Sequence, residues 1–118
     1  MVKGEKMNIN IKKVKIFVTV PVENTDEVRN AVCNAGAGVI GEYSYCTTCV
    51  KSVGTFVPNE KAKPYIGENN KLEFVEEDKL EFICDIENAK HVISELRKVH
   101  PYEEPAIDII PLIEEDSL

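Results

Sequence analysis

Val14, Ile16, Val18 and Val20 alternate with Lys15, Phe17 and Thr19, and the run stops at Pro21. Period two with β-branched residues predicts a strand that turns one face to a core. A few residues on, Val28, Ala31, Val32 and Ala35 fall at helical spacing. The same switch recurs later. Leu80, Phe82, Cys84 and Ile86 alternate with Glu81, Ile83 and Asp85, and then Ala89, Val92, Ile93, Leu96 and Val99 form one apolar stripe. A chain with two such strand-then-helix units has few architectures open to it.

The remaining elements follow from punctuation. Ile9 and Ile11 have the opposite parity to Val14, so the first strand starts late or carries a bulge near Lys12 and Lys13. Asn24 stands where a helix can be capped, with Glu27 three residues on to reach back, and Gly36 supplies a left-handed turn after Ala35. This predicts a helix over 24–35. The run 42–50, rich in aromatic and β-branched residues, reads as a second strand. Gly54-Thr55-Phe56-Val57-Pro58 reads as a short extended piece, and Leu72, Phe74 and Val75 as a brief strand of their own. Residues 59–70, with Pro64 and Gly67 and no period, form a loop. Pro101 ends the second helix, and 106–112 is the last strand, before an acidic tail over 113–118. Residues 1–8 are polar and expected to be loose.

The resulting order is β-α-β-β-α-β, an α+β chain of the ferredoxin-like, split βαβ type, with an antiparallel sheet and both helices on one face. A length of 118 residues fits a single domain with a core over about 14–112. On the opposite sheet face, Phe17, Ile83 and Ile110 are apolar where water would favour polar groups, which predicts self-association. The net charge of −7 argues against nucleic acid, whose phosphates want a basic face. No apolar run is long enough to cross a membrane. The first residues are charged and lack an apolar signal core, so a cytoplasmic location with reduced thiols is expected.

Chemistry-bearing side chains gather at His100-Pro101-Tyr102-Glu103-Glu104-Pro105. A neutral His100 with Glu103 or Glu104 can bind a divalent metal. The competing account is structural, with His100 at the helix end, Tyr102 packed and the carboxylates solvated. Cys46-Thr47-Thr48-Cys49 has the spacing of a metal or redox pair, but within a strand its thiols face opposite ways, and structural thiols are expected. Cys33 and Cys84 read as core residues and His91 as a solvated first-turn residue. Gly36 and Gly38 can cradle an anion through backbone N–H groups, or simply cap the helix and turn the chain. Nothing supplies a catalytic nucleophile or an oxyanion site, so no catalytic residue is assigned.

Four blocks carry a resemblance: 35–44, Gly54-Thr55-Phe56-Val57-Pro58, Pro64-Tyr65-Ile66-Gly67-Glu68, and 100–108. In this order they resemble the insert domain of the YqfO-type, Nif-three-like proteins, over about 15–112. The His-Pro-Tyr-Glu block is also similar to CutA, a trimeric PII-like protein. The resemblance implies a PII/CutA-like fold assembled as a homo-oligomer, with a trimer favoured. It also implies a non-enzymatic binding or regulatory role, with ligands or a partner protein at the subunit clefts. Gly54, Thr55, Tyr65 and Tyr102, together with Gly36 and Gly38, are the ligand-binding candidates it leaves. In longer members the insert interrupts a metal-binding, cyclohydrolase-like domain, and a free-standing copy of the insert is the expectation here. The alternative is a divalent-metal-tolerance protein of CutA type, with His100, Glu103 and Glu104 as ligands. The cysteine that CutA carries near the end of its first strand has no match in Val18-Thr19-Val20-Pro21. No cofactor is expected beyond that metal.

Overall fold

The computed structural model describes residues 10–118, so the expectation for 1–8 lies outside it. Strand β1 runs Lys13–Pro21, helix α1 Thr25–Asn34, β2 Thr47–Phe56, β3 Glu73–Asp85, helix α2 Ala89–Val99 and β4 Ile107–Leu112. The four strands form one sheet in the order β2-β3-β1-β4, with every neighbouring pair antiparallel. This is the ferredoxin-like arrangement expected from the order of periodicities.

The core lies on one face of that sheet. Val14, Ile16, Val18 and Val20 of β1 and Leu80, Phe82 and Cys84 of β3 pack with Val28 and Val32 of α1 and Val92 and Leu96 of α2 in one buried cluster. The pairings Val14–Cys84, Ile16–Phe82 and Val18–Leu80 put like residues side by side. A one-residue slip would turn all of them to the other face, so burial itself selects the register. Pro111 is tolerated in β4 because β4 is an edge strand.

Each helix is entered through the same apolar-Glu-Asn triplet. Val22–Asn24 and Ile86–Asn88 both form a 3-10 turn that runs directly into the helix. This corrects the capping expectation. Asn24 has φ −107° and ψ 0°, a helical conformation rather than the extended one a side-chain cap needs, and it makes no capping bond. Its counterpart Asn88 reaches across to the end of α1, where Nδ2 donates to the Ala35 carbonyl at 2.8 Å. Gly36 closes α1 as expected, at φ +108°, with its amide on Cys33 and that of Ala37 on Val32.

Two further corrections concern the middle of the chain. Residues 42–46 are not strand. Ile40 and Tyr43 bridge each other in a tight turn and Tyr45 has φ +56°, so β2 begins only at Thr47 and absorbs the extended piece at 54–56. Cys46 therefore precedes the strand, and the opposite-faces argument for Cys46 and Cys49 does not apply. The pieces around Leu72–Val75 and Leu80–Ile86 are parts of one strand, β3, whose 13 residues run through Glu76-Glu77-Asp78. Glu77 and Asp78 are both buried and both partnered, which lets charge stand inside a strand. Pairing of β1 with β3 stops at Pro21–Glu77, while β2 and β3 continue to Phe56–Glu73. The sheet thus ends in a two-stranded ribbon that overhangs the core.

Candidate functional site

The site is built from the corner after α2. Helix α2 ends at Val99, and His100 takes φ −74° and ψ 129°, the extended conformation favoured before proline. β4 pairs with β1 only as far as Val18–Ile107. The next carbonyl, that of Thr19, is taken by His100 Nε2 at 2.8 Å, while Nδ1 accepts the Tyr102 amide at 3.1 Å. This fixes a neutral imidazole with its proton on Nε2. Burial holds its pKa below the usual 6.5. Both ring nitrogens face the backbone, so in this conformation neither is free for a metal ion. Among the described residues, no three His, Cys, Asp or Glu side chains group closely enough to hold one.

The bond from Tyr102 to His100 also aims the tyrosine. Its ring stands 5.0 Å from the imidazole and 6.4 Å from each of Phe56 and Tyr65. Its hydroxyl donates to Glu77 Oε2 at 2.7 Å. Burial, and then the Glu77 carboxylate, push that hydroxyl well above the usual tyrosine range. Glu77 is only 6% exposed. It pairs with Ser52 on β2, and its carboxylate reaches the next position on the same face, Gly54, where any Cβ would collide with it.

These groups wall an open cavity of about 570 Å³ between the tip of β2, the following loop and the corner after α2. Of the ligand candidates, Gly54, Thr55, Tyr65 and Tyr102 line it, and so do the metal candidates Glu103 and Glu104. Glu103 Oε1 accepts the Lys63 amide at 3.2 Å, which ties the loop to the corner. Gly36 and Gly38 lie elsewhere, in the connection after α1. Their amides are bound to Cys33 and Ile83 carbonyls, leaving neither to cradle an anion. His91 is exposed, Cys84 is in the core and Cys33 packs against it. Burial pushes the thiols of Cys33, Cys49 and Cys84 upward, so they are poor nucleophiles, and no cysteine lines the cavity.

Glu77, Phe56 and Thr19 line the cavity but escaped the sequence reading. The one signal for Glu77 is the acidic triplet Glu76-Glu77-Asp78 between two apolar alternations. Chemically, the cavity offers aromatic faces, one buried carboxylate, two carboxylates at its edge and hydroxyls. That set binds and orients rather than attacks.

No family model matches the chain. It is 50% identical over 101 residues to a Halalkalibacterium halodurans protein named GTP cyclohydrolase 1 type 2 homolog, a match covering 86% of this chain and 27% of that protein. A solved Bacillus cereus protein related to NIF3 superposes with a TM-score of 0.76 at 40% identity, over 92% of this chain and 28% of that one. The chain resembles the insert domain of the Nif-three-like proteins. It spans about a quarter of the length of the curated relatives it matches. Fold likeness extends further. CutA from Synechococcus elongatus matches with a TM-score of 0.65 at 15% identity, over 89% of this chain and 80% of CutA. Bacillus subtilis GlnK matches with a TM-score of 0.58 at 12% identity, over 86% of this chain and 85% of GlnK. The fold is therefore PII/CutA-like. Among the described residues no helix is long and apolar enough to cross a membrane.

Proposed function

We propose that this chain is a non-enzymatic, PII/CutA-like binding or regulatory module that works as a homo-oligomer, a trimer, in the cytoplasm. The observation that carries the binding role is the cavity at the Tyr102 corner, whose walls are locked by the bonds from Tyr102 to His100 and Glu77. A preformed concave site with few polar groups is what a small-molecule site requires. Cyclohydrolase chemistry, on this reading, belongs to the rest of the longer proteins that carry that name.

Self-association is supported by the overhanging ribbon. Val53 and Phe74 are each 64% exposed on it, and Val57 and Leu72 flank them. A two-stranded ribbon is marginal alone, and an apolar one calls for cover. A second copy of the chain is the occupant that the CutA-like fold suggests. The four unpaired cysteines suit a reducing compartment.

Light scattering on purified protein tests the assembly. A trimer mass is expected, and a monomer at working concentration would refute it. Binding is tested by amide chemical shifts on addition of small molecules. Shifts at Gly54, Tyr65 and Tyr102 are expected, and a cavity silent to every compound class would end the binding reading.

A further inference from the structure

We infer that the cavity at Tyr102 takes an organic cation, an amine or guanidinium carried on a flat or apolar body. The inference rests on the cavity being the binding site. It starts from Glu77. This residue is 6% exposed, and Tyr102 bonds only its Oε2. Among the described residues, Oε1 accepts no hydrogen bond and no lysine or arginine pairs with Glu77. Oε1 keeps contact with solvent and Glu77 lines the cavity, so a ligand's donor can reach this acceptor, and a charged donor suits it best.

The surroundings agree in sign. Among the described residues the lining holds three carboxylates, Glu77, Glu103 and Glu104, against the single lysine Lys61. A phosphate-bearing ligand would meet those carboxylates at close range. The Gly36 and Gly38 amides that might have held an anion are bonded to carbonyls away from the cavity. The aromatic rings of Phe56, Tyr65 and Tyr102 supply faces to which a cation is attracted and a flat body can stack. The volume of about 570 Å³ lies within the range for small-molecule sites, roughly 300 to 1,000 Å³.

The experiment is an NMR titration of isotope-labelled protein with four probes: benzyltrimethylammonium, agmatine, benzoate and ATP. The two cations are expected to shift the amides of Gly54, Tyr65 and Tyr102, and more weakly as ionic strength rises. Glu77→Gln keeps the shape and the acceptor for Tyr102 and removes the charge, and about a tenfold loss of cation affinity is expected. Glu103→Gln/Glu104→Gln, a change at exposed positions, is expected to weaken cation binding without affecting the fold. If benzoate or ATP shifts the cavity and the cations do not, the cation inference falls while the binding module stands. Equal cation affinity in wild type and both variants also overturns it. If no probe shifts the cavity, the cation inference falls, while the binding reading falls only if neutral compounds leave the cavity silent as well.

Discussion

The hydroxyl of Tyr102 donates to Glu77 Oε2 across 2.7 Å, joining residues 25 positions apart in the chain. One comes from the corner after α2 and the other from the middle of β3. The bond fixes the back wall of the cavity and satisfies half of a buried carboxylate.

Tyr102→Phe removes the donor and leaves the acceptor buried. A loss of about 1–3 kcal/mol in stability is expected, since an unsatisfied buried group keeps its desolvation cost. Urea unfolding at neutral pH measures it. An unchanged midpoint would show that Glu77 is hydrated rather than held by Tyr102.

Gly54→Ala places a methyl group where the Glu77 carboxylate lies. Glu77 must then swing away from Tyr102. The two changes should therefore be non-additive: Gly54→Ala is expected to cost less in a Tyr102→Phe background than in wild type, by about 0.5–3 kcal/mol. A double-mutant cycle in urea reads this coupling, and simple additivity would contradict the shared carboxylate.

Gly36→Ala strains a residue at φ +108° and drives a methyl group against Asn88 Nδ2. That amide holds the Ala35 carbonyl at the end of α1. The combined effect is expected to be about 1–3 kcal/mol, from strain and a lost cap. Thermal unfolding of the variant checks it, and a Tm equal to that of wild type would count against the closure of α1 described above.

His100 sets a pH dependence. Burial depresses its folded-state pKa below the ordinary 6.5, with the bond to the Thr19 carbonyl and then Glu77 opposing the shift and Arg97 adding to it. The unfolded chain thus takes up the proton first, so stability rises with pH across the interval between the two pKa values. The contribution is complete above about pH 6.5 and is lost as pH falls toward the folded pKa. Urea unfolding from neutral to mildly acid pH should show this slope, and His100→Gln should flatten it. Equal slopes in the two proteins would sink the assignment.

Much of the fold was legible because it is written in spacing. Val14, Ile16, Val18 and Val20, like Val92 and Leu96, reach the core positions that their periods foretell. The middle of the chain was not, because its local signals mislead. Tyr43 and Tyr45 are good strand formers, yet Tyr45 sits at positive φ in a turn. Glu76-Glu77-Asp78 looks like a break between strands, yet β3 runs through it.

The same division holds for the site. Tyr102, Glu103 and Glu104 stood out at the corner, and Gly54, Thr55 and Tyr65 stood out by resemblance, and all six meet at one cavity. Gly36 and Gly38 stood out equally and lie away from it. The sequence by itself determined the two strand-then-helix units, the last strand and the corner after α2, since periodicity and a helix-stopping proline act within a few residues. The tertiary structure alone decided that Glu77 and Asp78 could be buried, because their partners Tyr102 and Thr25 lie 25 and 53 residues away. Whether a charge can stand inside a strand depends on what the fold brings against it, and local spacing carries no record of that.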